Sequence, residues 1–197
     1  MRKVTIVAVF MLVFGSLALA QIEPKAFEVP KTEFFIGYAY QYADTSGTYA
    51  GTSNTVPVSS TSLNGFGFEF AHYLHGNFGY IVDFSRGSNS KVDSTGIKYL
   101  RATYMAGPSY RLHRYGFFSP SVHALAGVDH AVFTYPVSYS AFDYANTEFA
   151  AAAGVTVDGN LSRHVGIRLG QADYIYTHHY GTNQGSFRYL GGLVVRF

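Results

Sequence analysis

The stretch Phe34-Phe35-Ile36-Gly37-Tyr38-Ala39-Tyr40-Gln41-Tyr42 decides how the rest of the chain is read. Its even-numbered positions are all large and apolar or aromatic. Between them stand Phe35, Gly37, Ala39 and Gln41. A period of two belongs to a β-strand, whose successive side chains point to opposite faces. The alternation recurs with Phe66, Phe68 and Phe70 against Gly65, Gly67, Glu69 and Ala71. Phe78, Tyr80, Val82 and Phe84 stand against Gly79, Ile81, Asp83 and Ser85. Leu100, Ala102, Tyr104, Ala106 and Tyr110 stand against Arg101, Thr103, Met105, Gly107 and Ser109. In the second half, Phe118, Val122, Ala124, Ala126 and Val128 oppose Ser119, Ser121, His123 and Asp129. Phe149 to Val157 and Val165 to Leu169 alternate likewise. The last run sets Phe187, Tyr189, Leu193, Val195 and Phe197 against Arg188, Gly192 and Arg196. That makes eight strands and no long amphipathic helix, so the expected fold class is all-β.

Composition says which face is outside. The chain has seventeen Tyr, seventeen Phe and 21 Gly, and only 13% of its residues are charged. A water-facing surface needs more charge than that. The large apolar face is therefore expected to meet lipid, with the small and polar face lining a lumen. Lipid offers no partner to an unpaired backbone amide, so such a sheet must close. The expectation is an eight-stranded antiparallel up-and-down transmembrane β-barrel. Of the 14 Lys+Arg, setting aside Arg2 and Lys3 leaves about as many cations as the 12 Asp+Glu, a neutral balance that argues against a nucleic-acid partner. The absence of cysteine leaves packing and hydrogen bonds to hold the fold.

The N-terminus reads as an address. Met1-Arg2-Lys3 is positive, Val4 to Leu17 is almost wholly apolar, and Ala18-Leu19-Ala20 is a small-x-small cleavage site. This is the layout of a secretory signal peptide. The apolar run is shorter than the roughly 20 residues a spanning helix needs. The expected domains are a signal peptide over 1–20 and a barrel over 21–197.

Between the strands the connections are expected at about 43–62, 75–77, 86–96, 111–116, 130–146, 158–163 and 178–186, alternately long and short. Membrane barrels carry long outer loops and short periplasmic turns. That assigns the Ser/Thr/Gly stretch Thr45 to Ser62 to the outside. Two irregularities stand out. Gln171 and Asp173 would face lipid unless a β-bulge near Gly170 resets the register. Pro108 and Pro120 cannot donate to a ladder, and are expected where it ends beside the 111–116 turn.

At its C-terminus, Tyr189-Leu-Gly-Gly-Leu193-Val-Val195-Arg-Phe197 resembles the terminal strand of the OmpA/OmpX-type outer-membrane barrel family, in its barrel-only form. Ser162 to Tyr174 resembles the family's penultimate strand. The resemblance covers the whole chain after the signal. It implies a cell outer-membrane location, outer-membrane lipid and lipopolysaccharide as surroundings, and a monomer. It also implies that Tyr189, Leu193, Val195 and Phe197 form an assembly signal read by the barrel-insertion machinery. Family functions vary and sit in the loops, so a surface ligand there is the expected partner.

Inside the lumen, Glu69 and Asp83 are equidistant from the turn near Gly76, so they should stand side by side. Two such carboxylates shift one another's ionisation and can make an acid–base pair. Arg101, Arg168, Arg188 and Asp173 should also point inward, which favours a charge-paired plug in a narrow barrel. His72, His75, His113 and His164 fall at the short turns and suggest an interfacial ring. His123 is expected to line the lumen as a satisfied core residue. His130 or His178 with a loop serine would imitate a lipid-modifying barrel enzyme, and His178-His179 a metal site. Adjacent residues point apart on a strand, which weakens the second. No Gly-x-Ser-x-Gly or His-Glu-x-x-His motif occurs, so neither catalytic residue nor cofactor is assigned. The expected function is structural or adhesive through the loops, with a small solute pore as the alternative.

Overall fold

The computed structural model describes residues 30–45, 60–92, 97–134, 143–179 and 182–197. The expected signal segment with Ala18 and Ala20, and most of the Thr45 to Ser62 stretch, lie outside the described residues. Eight strands follow one another: β1 (Thr32–Asp44), β2 (Ser60–His75), β3 (Phe78–Val92), β4 (Ile97–Arg111), β5 (Phe118–Thr134), β6 (Asp143–Asn160), β7 (Val165–His179) and β8 (Thr182–Arg196). Each pairs antiparallel with the next, and β8 returns to β1, closing the barrel. Paired main-chain bonds between Thr32 and Phe197 finish that seam, at 2.9 and 3.2 Å.

Side-chain alternation does the sorting. On β1, Phe34, Ile36, Tyr38, Tyr40 and Tyr42 are exposed on the outward face, while Phe35, Ala39 and Gln41 are buried in the lumen. Outward rings pack on one another across strands: Phe68 on Phe84, and Phe84 on Tyr104 with centroids 5.0 Å apart. Each such pair adds roughly 0.5–1.5 kcal/mol beyond its buried area. The lumen is less polar than small residues and charges alone would make it. One apolar cluster joins Ala43, Leu63, Val92, Tyr99, Ala131 and Phe133, with Tyr99 stacked on Phe133 at 4.2 Å. Two others centre on Ile81, Met105, Leu125 and Ile175, and on Phe35 and Leu190.

Two expectations need correction. The strands run well past the apolar band, so the connections shrink to residues 93–96 after β3, 135–142 after β5 and 180–181 after β7. Long and short no longer alternate strictly. A tilted strand crosses hydrocarbon in about 9–11 residues, whereas these have 13 to 18. Ladder hydrogen bonds continue through polar sequence because they use the backbone alone. Pro108 and Pro120 also lie within strands rather than beyond the ladder. Pro108 pairs with Tyr80 on one side, and on the other falls in a gap in the β4–β5 pairing between Ala106 and Ser109, across which the register is unchanged. The β-bulge expected near Gly170 is present at Leu169-Gly170 and turns Gln171 and Asp173 inward.

Gly192 sits at the seam, where a Cβ would lie 2.3 Å from the Ile36 carbonyl oxygen and 2.4 Å from the Gly37 Cα, both on β1. Gly192→Val is therefore expected to hold β8 off β1. After refolding in detergent, less of the variant should run as a compact, heat-modifiable gel band. A fraction equal to wild type would show that the seam accepts a side chain.

Candidate functional site

One chain of ion pairs and hydrogen bonds runs through the lumen. It begins near the turn-bearing end. Arg111 on β4 pairs with Glu33 on β1 at 2.9 Å, and its guanidinium lies 3.4 Å over the Tyr73 ring. Arg196 on β8 donates to Glu33 at 2.6 Å and to Asp158 on β6 at 3.2 Å. Asp158 also accepts from Arg168 on β7 at 3.0 Å, and Arg168 crosses to Glu69 on β2 at 3.0 Å while covering Phe35. Gln171 links Arg168 to Asp173. Asp173 holds His123 of β5 at 2.8 Å and Arg188 of β8 at 2.7 Å. Arg188 then makes a two-pronged contact with Asp83 on β3, at 2.7 and 3.1 Å, and donates to Ser85. Every one of the eight strands contributes a side chain.

Glycine makes room at one crossing. His123, Gly154 and Asp173 are register neighbours on β5, β6 and β7. A Cβ on Gly154 would lie 2.0 Å from the Asp173 carboxylate and 2.6 Å from the His123 ring. His123 reaches Asp173 across the strand between them because that strand has no side chain there.

Closed eight-strand topology, an aromatic outer wall and a charge-paired lumen together invite comparison with known proteins. No protein-family model matches the chain, and no curated protein matches it by sequence. Solved structures do. Neisserial surface protein A is 16% identical, with a TM-score of 0.65, over 84% of this chain and 97% of that one. Ail, the attachment invasion locus protein of Yersinia pestis, was solved in complex with the heparin analogue sucrose octasulfate. It is 18% identical with a TM-score of 0.57, over 85% and 99% of the two chains. OprG from Pseudomonas aeruginosa is 13% identical with a TM-score of 0.53, over 86% and 97%.

The chain has the fold of the OmpA/OmpX-like eight-stranded outer-membrane barrels.

Within that barrel, Glu69 and Asp83 are direct register partners. They do not form an isolated acid pair, because Glu69 is held by Arg168 and Asp83 by Arg188. Asp173, Arg168 and Arg188 are buried in the same chain of contacts. Arg101 is placed differently. It pairs with Asp129 and donates to Ser186 at 2.6 Å, in a separate group nearer the loop-bearing end. With Gly87 as its register partner on β3, it meets no carboxylate there. Glu33, Arg111, Arg196, Asp158 and Asp129 were not singled out from sequence. Strand parity alone would have placed them inward, but their partners lie up to 163 residues away.

Other expected sites are dispersed. His130 bonds Thr147 and His178 bonds Asn183, each at 2.7 Å, so neither engages a serine in these contacts. His178 is exposed while His179 is buried near Asp129. Among the described residues no group of three metal-ligating side chains is assembled. Tyr189, Leu193, Val195 and Phe197 all face outward, with Phe197 edge-on to Phe34 across the seam.

Arg188→Met would leave Asp83 and Asp173 buried without their shared cation. The expected cost is about 3–5 kcal/mol, as for removal of one member of a buried pair. Urea unfolding of the refolded barrel measures it. A loss below about 1 kcal/mol, the range of exposed pairs, would mean that the carboxylates are hydrated.

Proposed function

We propose that this protein is an outer-membrane barrel of structural and surface-contact type, with a sealed lumen and no catalytic centre. In this reading the segment 1–20 is a signal peptide cleaved after Ala20. The strand ending at Phe197, with Tyr189, Leu193 and Val195 facing outward, is read by the insertion machinery. The turns at 76–77, 112–117 and 161–164 face the periplasm, and the other connections face the cell exterior among lipopolysaccharide. The closed wall suits a monomer, since it leaves no sheet edge to pair.

The observation that carries this reading is the filled lumen. Arg168 and Arg188 each bridge strands on opposite parts of the wall, and both are nearly inaccessible to solvent. Further along, the Tyr99–Phe133 stack and Leu63 close the interior a second time with apolar groups. An eight-stranded barrel has an interior about wide enough for side chains to fill. A conducting path would need both fillings to move. Function then falls to the outer surface, where the polar strand extensions carry the Ser/Thr/Gly segment between β1 and β2. Ail, which shares the fold, is described by its name as an attachment protein and binds a heparin analogue. For this chain, adhesion is the reading such an outer surface favours.

In planar bilayers the refolded protein is expected to show no steady, large single-channel conductance. Stable openings in the wild-type protein would replace the plug by a pore. Removing residues 46–59 should preserve heat-modifiable migration while reducing attachment of expressing cells to a sulfated-glycan surface. Unchanged attachment would remove that segment from the contact.

A further inference from the structure

Three turns at one end of the barrel repeat a small pattern. Leu74-His75 closes β2, Leu112-His113-Arg114 follows β4, and Leu161-Ser162-Arg163-His164 joins β6 to β7. In each, the leucine is turned outward: Leu74, Leu112 and Leu161 are 50%, 42% and 62% exposed. Beside them His75, His113, Arg163 and His164 are exposed, as is Lys31 at the start of β1. Arg114 is half-buried, with its Nε donating to the Gly116 carbonyl at 3.1 Å.

Among the described residues, this rim has no exposed side-chain carboxylate. The main-chain carboxylate of Phe197 accepts from the Thr32 amide at this end, and among the described residues the side-chain carboxylates there are Glu33 and Asp158. Both are buried, and both are bound by arginines of the lumen network. Their charge is answered inside the barrel, and Lys31, Arg114 and Arg163 outnumber the single Phe197 carboxylate, which leaves the rim cationic. A lone exposed leucine means nothing. Three turns that each set a leucine beside a histidine, with Lys31, Arg114 and Arg163 supplying the charge, make an amphipathic collar. That composition suits a bilayer boundary, with apolar tips in the acyl region and cations at headgroup level. The leucines also continue the apolar wall, since Phe78, Tyr110 and Phe197 are exposed just beside them. A soluble partner would not need that continuity.

We propose that this collar selects anionic phospholipid headgroups in the leaflet it touches. The proposal rests on the membrane reading above and adds a lipid preference to it. The chemistry recognised is a phosphate diester whose negative charge no zwitterionic partner cancels.

To test it, the protein is refolded into vesicles of phosphatidylcholine alone and of an equimolar mixture with phosphatidylglycerol. Insertion is first verified by heat-modifiable migration. Thermal unfolding midpoints are then compared between the two lipids for each variant, so that any general destabilisation cancels. The midpoint is expected to be higher in the anionic vesicles, and the difference should vanish in about 1 M salt, where the Debye length is about 3 Å. Lys31→Gln combined with Arg163→Gln should remove most of the difference. Arg86→Gln with Lys98→Gln, exposed cations towards the opposite end, should keep it.

Equal midpoints in the two lipids, after verified insertion, would overturn the collar and leave the membrane reading intact. Failure to insert into either vesicle would overturn both. Loss of the difference in the Arg86/Lys98 variant would assign the preference to the wrong end. Inorganic phosphate added to phosphatidylcholine vesicles should change nothing, and a rise matching that of phosphatidylglycerol would exclude the lipid as the source.

Discussion

Everything in this barrel depends on guanidinium groups held away from water. Arg168, Arg188 and Arg196 are buried together with Glu33, Glu69, Asp83, Asp158 and Asp173. Taking such groups out of water costs several kcal/mol per ion after relaxation. Their mutual contacts offset that cost only when the geometry is right, so the network is a poor source of stability and a strong source of selectivity. A strand shifted by one residue would send its whole inner face outward. In a bilayer that would put an arginine against hydrocarbon, at about 2–4 kcal/mol near the midplane. The arrangement with every charge indoors is thereby separated from its nearest competitors.

Polar and apolar groups divide the lumen into zones. The ionic chain fills the part towards the turns, the Ile81–Met105–Leu125 cluster packs beside it, and the Tyr99–Phe133 stack lies near the loops. A purely ionic filling would leave many lone pairs without donors. A purely apolar one would say little about register, since any inward ring can pack against any other. Interleaving lets a few hydrogen-bonded positions set the alignment while packing fills the space between them.

Much of the barrel was legible in the chain because β-periodicity is local. The alternation from Phe34 to Tyr42 gives strand and face at once, and seven similar runs give the count. The pairing of Glu69 with Asp83 was equally local, since both lie on one tight hairpin. The partners of the arginines were not legible. Arg188 and Asp83 are 105 residues apart, and parity says only that both face inward. Arg101 shows the limit, because it shares the inward face yet sits too far along the axis to meet Glu69 or Asp83. Connection lengths misled for a different reason. Hydropathy reports where a strand leaves an apolar environment, whereas the ladder from Arg86 to Val92 and from Lys98 onward persists beyond that point.

The bulge at Leu169-Gly170 ties these strands of reasoning together. Arg168 and Asp173 differ in parity, so a regular strand could not place both in the lumen. With one residue extruded from the ladder, Arg168 faces inward before the bulge and Gln171 and Asp173 face inward after it. Each half then serves a different part of the network: Arg168 reaches Asp158 and Glu69, and Asp173 holds His123 and Arg188. Gln171 bonds to both and bridges the break. A regular β7 would keep one of these groups and turn the other towards the outer wall. The backbone defect is what lets two partial ion clusters become one network spanning all eight strands, so its position is set by the charges it must deliver rather than by the strand it interrupts.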